Sequence, residues 1–405
     1  MRVLFGWEIG ENNGHLRPYL SLLEGLAGQG WEVAVAQRNT SVAAGELARL
    51  GFPVFQAPVC MNQFSGIASE PASHAEIYLG FGFAHAETLT GLVGGWRAIL
   101  STWRPDLVIA NYAPAFLLAA HSAAIPAVRL GTGFDCPPHR PRAPGLVPLT
   151  KAIDDRLERA EDLALRNANA ALRAFGVEPV PHLGAVLEGS ATLLATIPVL
   201  DPFRALRQEE QYVGPLPAAA SAAAPGKPPE VFASLRRDHP HAPKLIDALS
   251  GSRRRTWLYL PDATEAQCVT TSSDTLRVSR EPFSLAAALS SRPAVVSYGG
   301  HSLGVSALLA GCPQLLLPVN GEQHSTAKLL ADIGVGVCVG REEPRSRVAT
   351  GLARVLDDEK IAESARSEAE ALRPFRPEQA LGNAIDACCL AAAASRGTPQ
   401  LARRH

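Results

Sequence analysis

The chain has 405 residues, 38 basic against 39 acidic, and a formal net charge of −1 at pH 7. With 19% charged residues and no surplus of either sign, nucleic acid is excluded as a main partner. The 47% apolar content is enough to bury two cores of about 200 residues each, so two domains are the expectation.

In chain order, residues 3–6 read as a short buried strand, followed by the polar, glycine-bearing loop WEIGENNGHLRP. Leu16, Tyr19, Leu20, Leu23 and Leu26 then give a helix its apolar stripe, with Pro18 in the first turn and Gly28 and Gly30 at the end. His15 thus stands at a helix N-terminus above a strand end, where the dipole keeps the ring neutral. From position alone it serves equally as a cap or as a general base. Alternation continues with strand 32–37, helix 42–50 and strand 53–58. Residues 61–83, rich in Gly, Ser, Phe and His, lack a clear period and read as a long functional or mobile loop. Helix 85–103, strand 106–110 leading to Asn111, helix 115–124 with a partly buried His121, and strand 127–130 follow. A Pro/Gly-rich surface loop carries Thr132, Asp135 and His139. The long amphipathic helix 149–175 has an Asp154-Asp155 pair that reads as a solvated face, and strand 193–197 closes this half.

Residues 215–229, PLPAAASAAAPGKPP, form a Pro/Ala-rich linker with one charge. Strands 231–235, 256–260 and 275–278 and helix 242–249 resume the alternation, with Arg236-Arg237 after the first strand and Arg280-Glu281-Pro282 after the third. Residues 294–340 are the most informative stretch. Apolar 294–296 meets Gly299-Gly300, and Val305, Leu308 and Leu309 fall at helical spacing. Gly311 and Pro313 end that helix, 314–317 is a buried strand, and Gly321 opens a loop into helix 325–333. Two strand ends therefore aim two helix N-termini at one sheet edge, an arrangement that suits a pyrophosphate. The tail, 377–394, is an amphipathic helix. The boundaries are 1–214, linker 215–229, 230–375 and tail 376–405.

Seven cysteines without a Cys-x-x-Cys pair point away from a zinc site or disulfides and toward a reducing cytoplasm. Met1 leads into a strand rather than a signal peptide, and no apolar run approaches the ~20 residues of a spanning helix. Association with a membrane surface is left open by this composition.

The 294–340 stretch resembles the donor-binding signature of the UDP-glycosyltransferase superfamily, bacterial macrolide, glycopeptide and MurG-like members included. Gly299, Gly300, Gly311, Pro313, Pro318, Gln323 and Ala327 match that pattern. Tyr298 stands in place of its phosphate-binding His, Leu303 of a Ser or Thr, Ser306 of a ribose-holding Glu, and Glu322 of an Asp. Gly14-His15-x-x-Pro18 is similar to the opening motif of bacterial members, in which the His is the general base.

The resemblance implies an α/β GT-B fold, two Rossmann-like doubly wound domains facing each other across a cleft. The N-terminal domain would bind the acceptor, the C-terminal domain the nucleotide sugar, and the tail helix would pack back on the first domain. It implies an inverting, metal-independent glycosyltransferase of secondary metabolism, moving a sugar from a nucleotide diphosphate to a hydroxyl of a small-molecule or lipid-like acceptor. His15 and Asn111 would form the catalytic pair. An Asp stands at the place of Asn111 in plant-type relatives, so this base lacks a charged partner there. Donor contacts would come from Arg236, Arg280, Pro282, Tyr298, Gly299, Gly300, His301, Ser302, Leu303, Ser306, Glu322 and Gln323. Among these, His301 would replace the absent phosphate-binding His, Arg236 would restore lost phosphate contacts, and Arg280 would stack on the base. For either arginine, plain surface charge is the competing reading. Acceptor contacts would come from Phe64, Tyr78, Phe81 and Asp135, against the reading that such aromatics merely cover the sheet. No resident cofactor or metal is implied, the chain being a monomer or homodimer. Two other readings stay open: a non-catalytic helper with weakened donor binding, and a nucleotide-sugar epimerase, for which Glu322 is the one clearly placed acid.

Overall fold

The computed structural model describes residues 1–10, 12–61, 70–138, 142–146, 150–207, 211–217 and 226–397. Phe64, His139 and 218–225 of the linker lie outside them. The chain divides into two compact units. One comprises Met1–Thr196, Phe203–Pro217 and Pro377–His405, and the other Ile197–Pro202 and Ala218–Arg376.

The first unit holds strands β1 (Arg2–Trp7), β2 (Glu32–Gln37), β3 (Val54–Gln56), β4 (Leu107–Asn111), β5 (Ala127–Gly131), β6 (Ala191–Leu194) and β7 (Gln211–Tyr212). They form one sheet in the order β3-β2-β1-β4-β5-β6-β7, every neighbouring pair parallel. A parallel sheet must be covered on both faces, which is why its central strands β1, β2 and β4 are apolar along most of their length rather than alternating. In β1, Val3, Phe5 and Trp7 enter one core, and Leu4 enters the core on the opposite face. Gly6 lets the helix Pro114–Ser122 close in, since a Cβ there would fall 2.4 Å from the Phe116 ring. On the other face Leu381, Ile385, Ala384 and Cys388 of the helix Pro377–Gly397 pack with Leu23 and Leu26. Gly25 makes room for Ile385, 2.6 Å from where its Cβ would be.

The second unit holds β8 (Val231–Ser234), β9 (Thr256–Tyr259), β10 (Leu276–Ser279), β11 (Ala294–Ser297), β12 (Gln314–Leu316) and β13 (Gly336–Cys338). Its order, β10-β9-β8-β11-β12-β13, is the doubly wound order of dinucleotide-binding folds. Val231 and Ala233 enter one core and Phe232 the other. In both sheets the strand order reverses beside the first strand, between β1 and β4 and between β8 and β11. That is where open parallel sheets bind ligands.

Several elements differ from the sequence expectation. The 61–83 stretch is not one loop, because the helix His74–Tyr78, capped by Ser73 Oγ on the Glu76 N–H, and the turn Leu79–Phe83 lie within it. A helix this short and buried on several sides leaves no period to read. The helix Glu265–Thr271 has no counterpart in the sequence expectation, although Thr264 and Gln267 form a full capping box at its start. The expected strand 193–197 ends at Leu194, and Ile197 and Leu200 pack with Val305, Leu308 and Leu330 in the second unit. His121 is exposed rather than partly buried. Among the described residues, no helix is long and apolar enough to cross a membrane.

Candidate active site

β1 and β4 run side by side with Trp7 opposite Asn111. The chain leaving β1 turns through Glu8, Ile9 and Gly10 into the short 3-10 turn Asn12–His15, and the regular helix begins only at Leu20. Pro18 in an intervening 3-10 turn and Tyr19 as N-cap separate the two. His15 is therefore not on the helix N-terminus, and the dipole argument for its neutral ring does not apply. Burial does the work instead. The ring is 7% exposed, and desolvation pulls its pKa down to about 4 against a smaller opposing effect of the Asn111 hydrogen bond.

His15 Nδ1 lies 2.9 Å from Asn111 Oδ1. Asn111 Nδ2 donates to Leu130 O at 2.9 Å and to Asp135 Oδ2 at 3.3 Å, so its amide group faces the acceptors and Oδ1 faces the imidazole. The neutral ring then carries its proton on Nδ1 and its lone pair on Nε2. Trp7 stacks on the ring with centroids 5.4 Å apart, and Tyr112 lies against it at 6.1 Å. Tyr112 holds the strained, left-handed φ of +42°, pinned by Ile9 N–H donating to its carbonyl at 3.1 Å. Glu8, buried, accepts the N–H groups of Ala115 and Phe116 at 3.0 and 2.7 Å, and desolvation pushes its pKa up to about 8. The segment carrying His15 is thus tied down at each step.

The expected acceptor contacts are largely reassigned. Tyr78 is 3% exposed in the core, ringed by Phe83, Tyr112 and His74. Phe81 is half-buried, with the Arg38 guanidinium 5.3 Å above its ring. Asp135 is buried behind Asn111, not open to an acceptor.

In the second unit, the loops after β8, β10, β11 and β12 leave the same sheet edge. Gly299 takes φ +78°, and a Cβ there would fall 3.0 Å from Gln323 O and 3.1 Å from Ala327 Cβ. Glycine thereby brings the turn before the helix His301–Leu309 against the first turn of the helix Gly321–Asp332. That second helix starts at Gly321, not at 325, because Asn320 Oδ1 caps the Gln323 N–H at 3.0 Å. Glu322 and Gln323 are therefore helical, and Gln323 Oε1 accepts the Val319 N–H at 3.0 Å, leaving its NH2 as the outward donor.

The two N-termini are unequal. The one after Gly300 has no side-chain cap, so the His301, Ser302 and Leu303 end offers backbone N–H groups to an anion. The His301 ring itself is buried, 8% exposed, and desolvation brings its pKa to about 4 with Asp201 opposing. A buried neutral ring does not replace a phosphate-binding His. Ser306 Oγ donates to Ser302 O at 2.8 Å, Leu303 packs with the Phe283 and Trp257 cluster, and Ser302 is exposed. Tyr298 OH accepts the Arg236 N–H across the β8/β11 switch point, and burial raises its pKa beyond the ordinary phenol range. The Arg236 guanidinium pairs with Asp238 at 3.2 Å rather than standing free for phosphate. Arg280 and Pro282 are exposed on the loop after β10, pinned by Ser279 Oγ donating to Glu281 O at 2.8 Å.

Two parallel doubly wound units in one chain are the architecture of GT-B glycosyltransferases, and solved structures of that fold superpose on this chain. The chain is a glycosyltransferase of that fold, and its relatives carry the same description. The elloramycin glycosyltransferase ElmGT of Streptomyces olivaceus is 26% identical over 379 residues, covering 89% of this chain and 91% of its own length. The PGL/p-HBAD biosynthesis glycosyltransferase of Mycobacterium tuberculosis is 27% identical over 320 residues, 72% of each chain. Among solved structures, the glycosyltransferase VinC in complex with DTDP superposes with a TM-score of 0.70 over 97% of this chain and 100% of that one, at 17% identity. No family model matches the chain.

Proposed function

We propose that the chain is an inverting, metal-independent enzyme that transfers a sugar from a nucleoside diphosphate to a hydroxyl of a small-molecule or lipid-like acceptor. The observation that carries this reading is His15, whose Nδ1–H is held by Asn111 while Nε2 keeps its lone pair. The acceptor O–H gives its proton to Nε2 and its oxygen attacks the anomeric carbon. The bond to the diphosphate breaks with its electron pair going to the phosphate oxygen. One attack from the face opposite the leaving group inverts the configuration. The uncapped N-terminus after Gly300, equivalent to about half a positive charge, would meet the anion without a metal. Gln323 Nε2 and Glu322 would hold sugar hydroxyls. The DTDP in the VinC structure supports thymidine diphosphate sugars as first candidates, and the elloramycin in a relative's name supports a natural-product acceptor.

The test is a screen of dTDP-, UDP- and GDP-glucose and dTDP-rhamnose with 4-nitrophenol as acceptor, with and without EDTA. The expected product has the anomeric configuration opposite to the donor, formed equally well with chelator present. Retained configuration, or transfer abolished by EDTA, would sink the proposal. Gly299→Ala tests the donor side. Its methyl is strained at φ +78° and crowds Gln323 O, so calorimetric dTDP affinity should fall about tenfold while the His15 region is unaffected. Unchanged dTDP affinity would remove this turn from the donor site.

A further inference from the structure

β5 ends at Gly131, and the turn after it brings Asp135 behind Asn111. The carboxylate is 6% exposed and well partnered: Thr132 Oγ1 donates to Oδ1 at 2.9 Å and Asn111 Nδ2 to Oδ2 at 3.3 Å. Gly131 makes the place for it, since a Cβ there would fall 2.4 Å from Oδ1 and 2.7 Å from Cγ. A single hydrogen-bonded line therefore runs His15 Nδ1–H, Asn111 Oδ1, Asn111 Nδ2–H, Asp135 Oδ2. A carboxylate on the far side of an amide polarises it and makes Oδ1 a stronger acceptor, and in a buried site such chains reinforce one another.

We propose that Asp135 is a positioning residue of the transfer reaction, supplying through Asn111 the negative charge that Asn111 itself lacks. The inference rests on His15 being the base. The acceptor proton stops on Nε2, Nδ1 keeps its proton, and the amide conveys polarisation rather than a proton, so Asp135 stays ionised throughout.

Of the charged and titratable groups nearby, Tyr78 interacts with Asp135 directly; Arg129, Cys136 and Glu161 also act on Tyr78, and Arg129 and Arg207 act on His74. Arg129 Nη1 donates to Pro137 O at 2.8 Å, and Arg207 donates to Cys136 O at 2.7 Å and to Gly133 O at 3.1 Å. Burial pushes the Asp135 pKa up to about 6 despite the opposing hydrogen bonds from Thr132 and Asn111. As the pH falls, Asp135 therefore takes a proton before His15 does, and its support of the base is present above about pH 6 and lost below it. A carboxylate that merely builds the turn would leave the imidazole unaware of that step.

The test follows the His15 ring by NMR in histidine-labelled protein, with His15→Gln assigning its signal among the eleven histidines. In the wild type the ring should be the Nδ1–H tautomer, and its shifts should step with a midpoint near pH 6. In Asp135→Asn, which keeps an oxygen for Thr132, the step should vanish. Transfer to 4-nitrophenol should slow about tenfold in kcat with KM little changed, as for a base weakened by one pKa unit. The double variant Asn111→Asp with Asp135→Asn, which moves the carboxylate next to the ring, should recover most of the rate. Thr132→Val, which keeps the carboxylate but removes a donor, should move the step to higher pH, a readout that holds even where Asp135→Asn folds poorly. A wild-type ring with no step, or the same step in Asp135→Asn, overturns the role of Asp135 while His15→Ala remains inactive. Full transfer by His15→Ala would instead remove the base itself.

Discussion

Replacing His15 with alanine is expected to slow glycosyl transfer by about two to four orders of magnitude, while dTDP affinity stays unchanged. The size follows from what one group does. Nδ1 is committed to Asn111, so in the proposed mechanism the acceptor proton goes to the other ring nitrogen, Nε2. A second, independent signature concerns acid stability. The unfolded ring takes up a proton near pH 6.5, and the folded, buried ring only near pH 4. Wild type therefore loses stability as pH falls through that window, and His15→Ala lacks this part of the loss. Transfer rates and thermal unfolding at pH 4 to 8 measure both. A variant with the wild-type rate would leave the imidazole as packing between Trp7 and Tyr112.

Gly10→Ala is expected to be nearly as damaging, at about a hundredfold in kcat, although it changes no polar atom. Gly10 holds φ +95°, and an added Cβ would lie 1.9 Å from His15 Nε2. The methyl would occupy the space from which the proposed mechanism brings the acceptor hydroxyl, or push the imidazole off the Asn111 bond. Neither side yields easily. Trp7 Nε1 donates to Ile9 O at 2.7 Å, Ile9 N–H donates to Tyr112 O, and Glu8 is fastened to the helix Pro114–Ser122. A misplacement of about 1 Å at a reacting atom is enough for a loss of that order. Gly14→Ala is the control, because a Cβ there meets nothing within 4 Å. Equal rates for the two variants, measured with saturating acceptor, would show that Gly10 does not border the reacting space.

The alternation of strands and helices was legible because both sheets are parallel and buried on both faces. Their central strands are mostly apolar runs, and Gly and Pro punctuate the chain between elements, as at Gly28, Gly311 and Pro313. The Gly299-Gly300 turn and the Gly14-His15 pair were legible as motifs, since their spacing is local. Helix starts differ from the sequence expectation where a side-chain cap sets them. Asn320-x-x-Gln323 and Thr264-x-x-Gln267 both announce a first turn, and both were available in the chain. What no local pattern carries is the approach of distant side chains. Asp135 lies 24 positions from Asn111, and only the register of β4 beside β5 brings them together. The same holds for Gly10 over His15 and for Tyr298 on Arg236, where a loop folds back and the partner is set by tertiary path. Asn111 read from sequence as the loss of a charge, yet the fold places a carboxylate one side chain further out.

The polypeptide changes units four times, at residues 196/197, 202/203, 217/218 and 376/377. A chimera that swaps the second unit between related chains with a single crossover in the linker would import a foreign tail. That tail must fill the seam beside Gly25, cut to the width of Ile385. Recombination that respects the fold uses a second junction near residue 376 and returns the native last helix to its own half, with the short 197–202 passage travelling with the other.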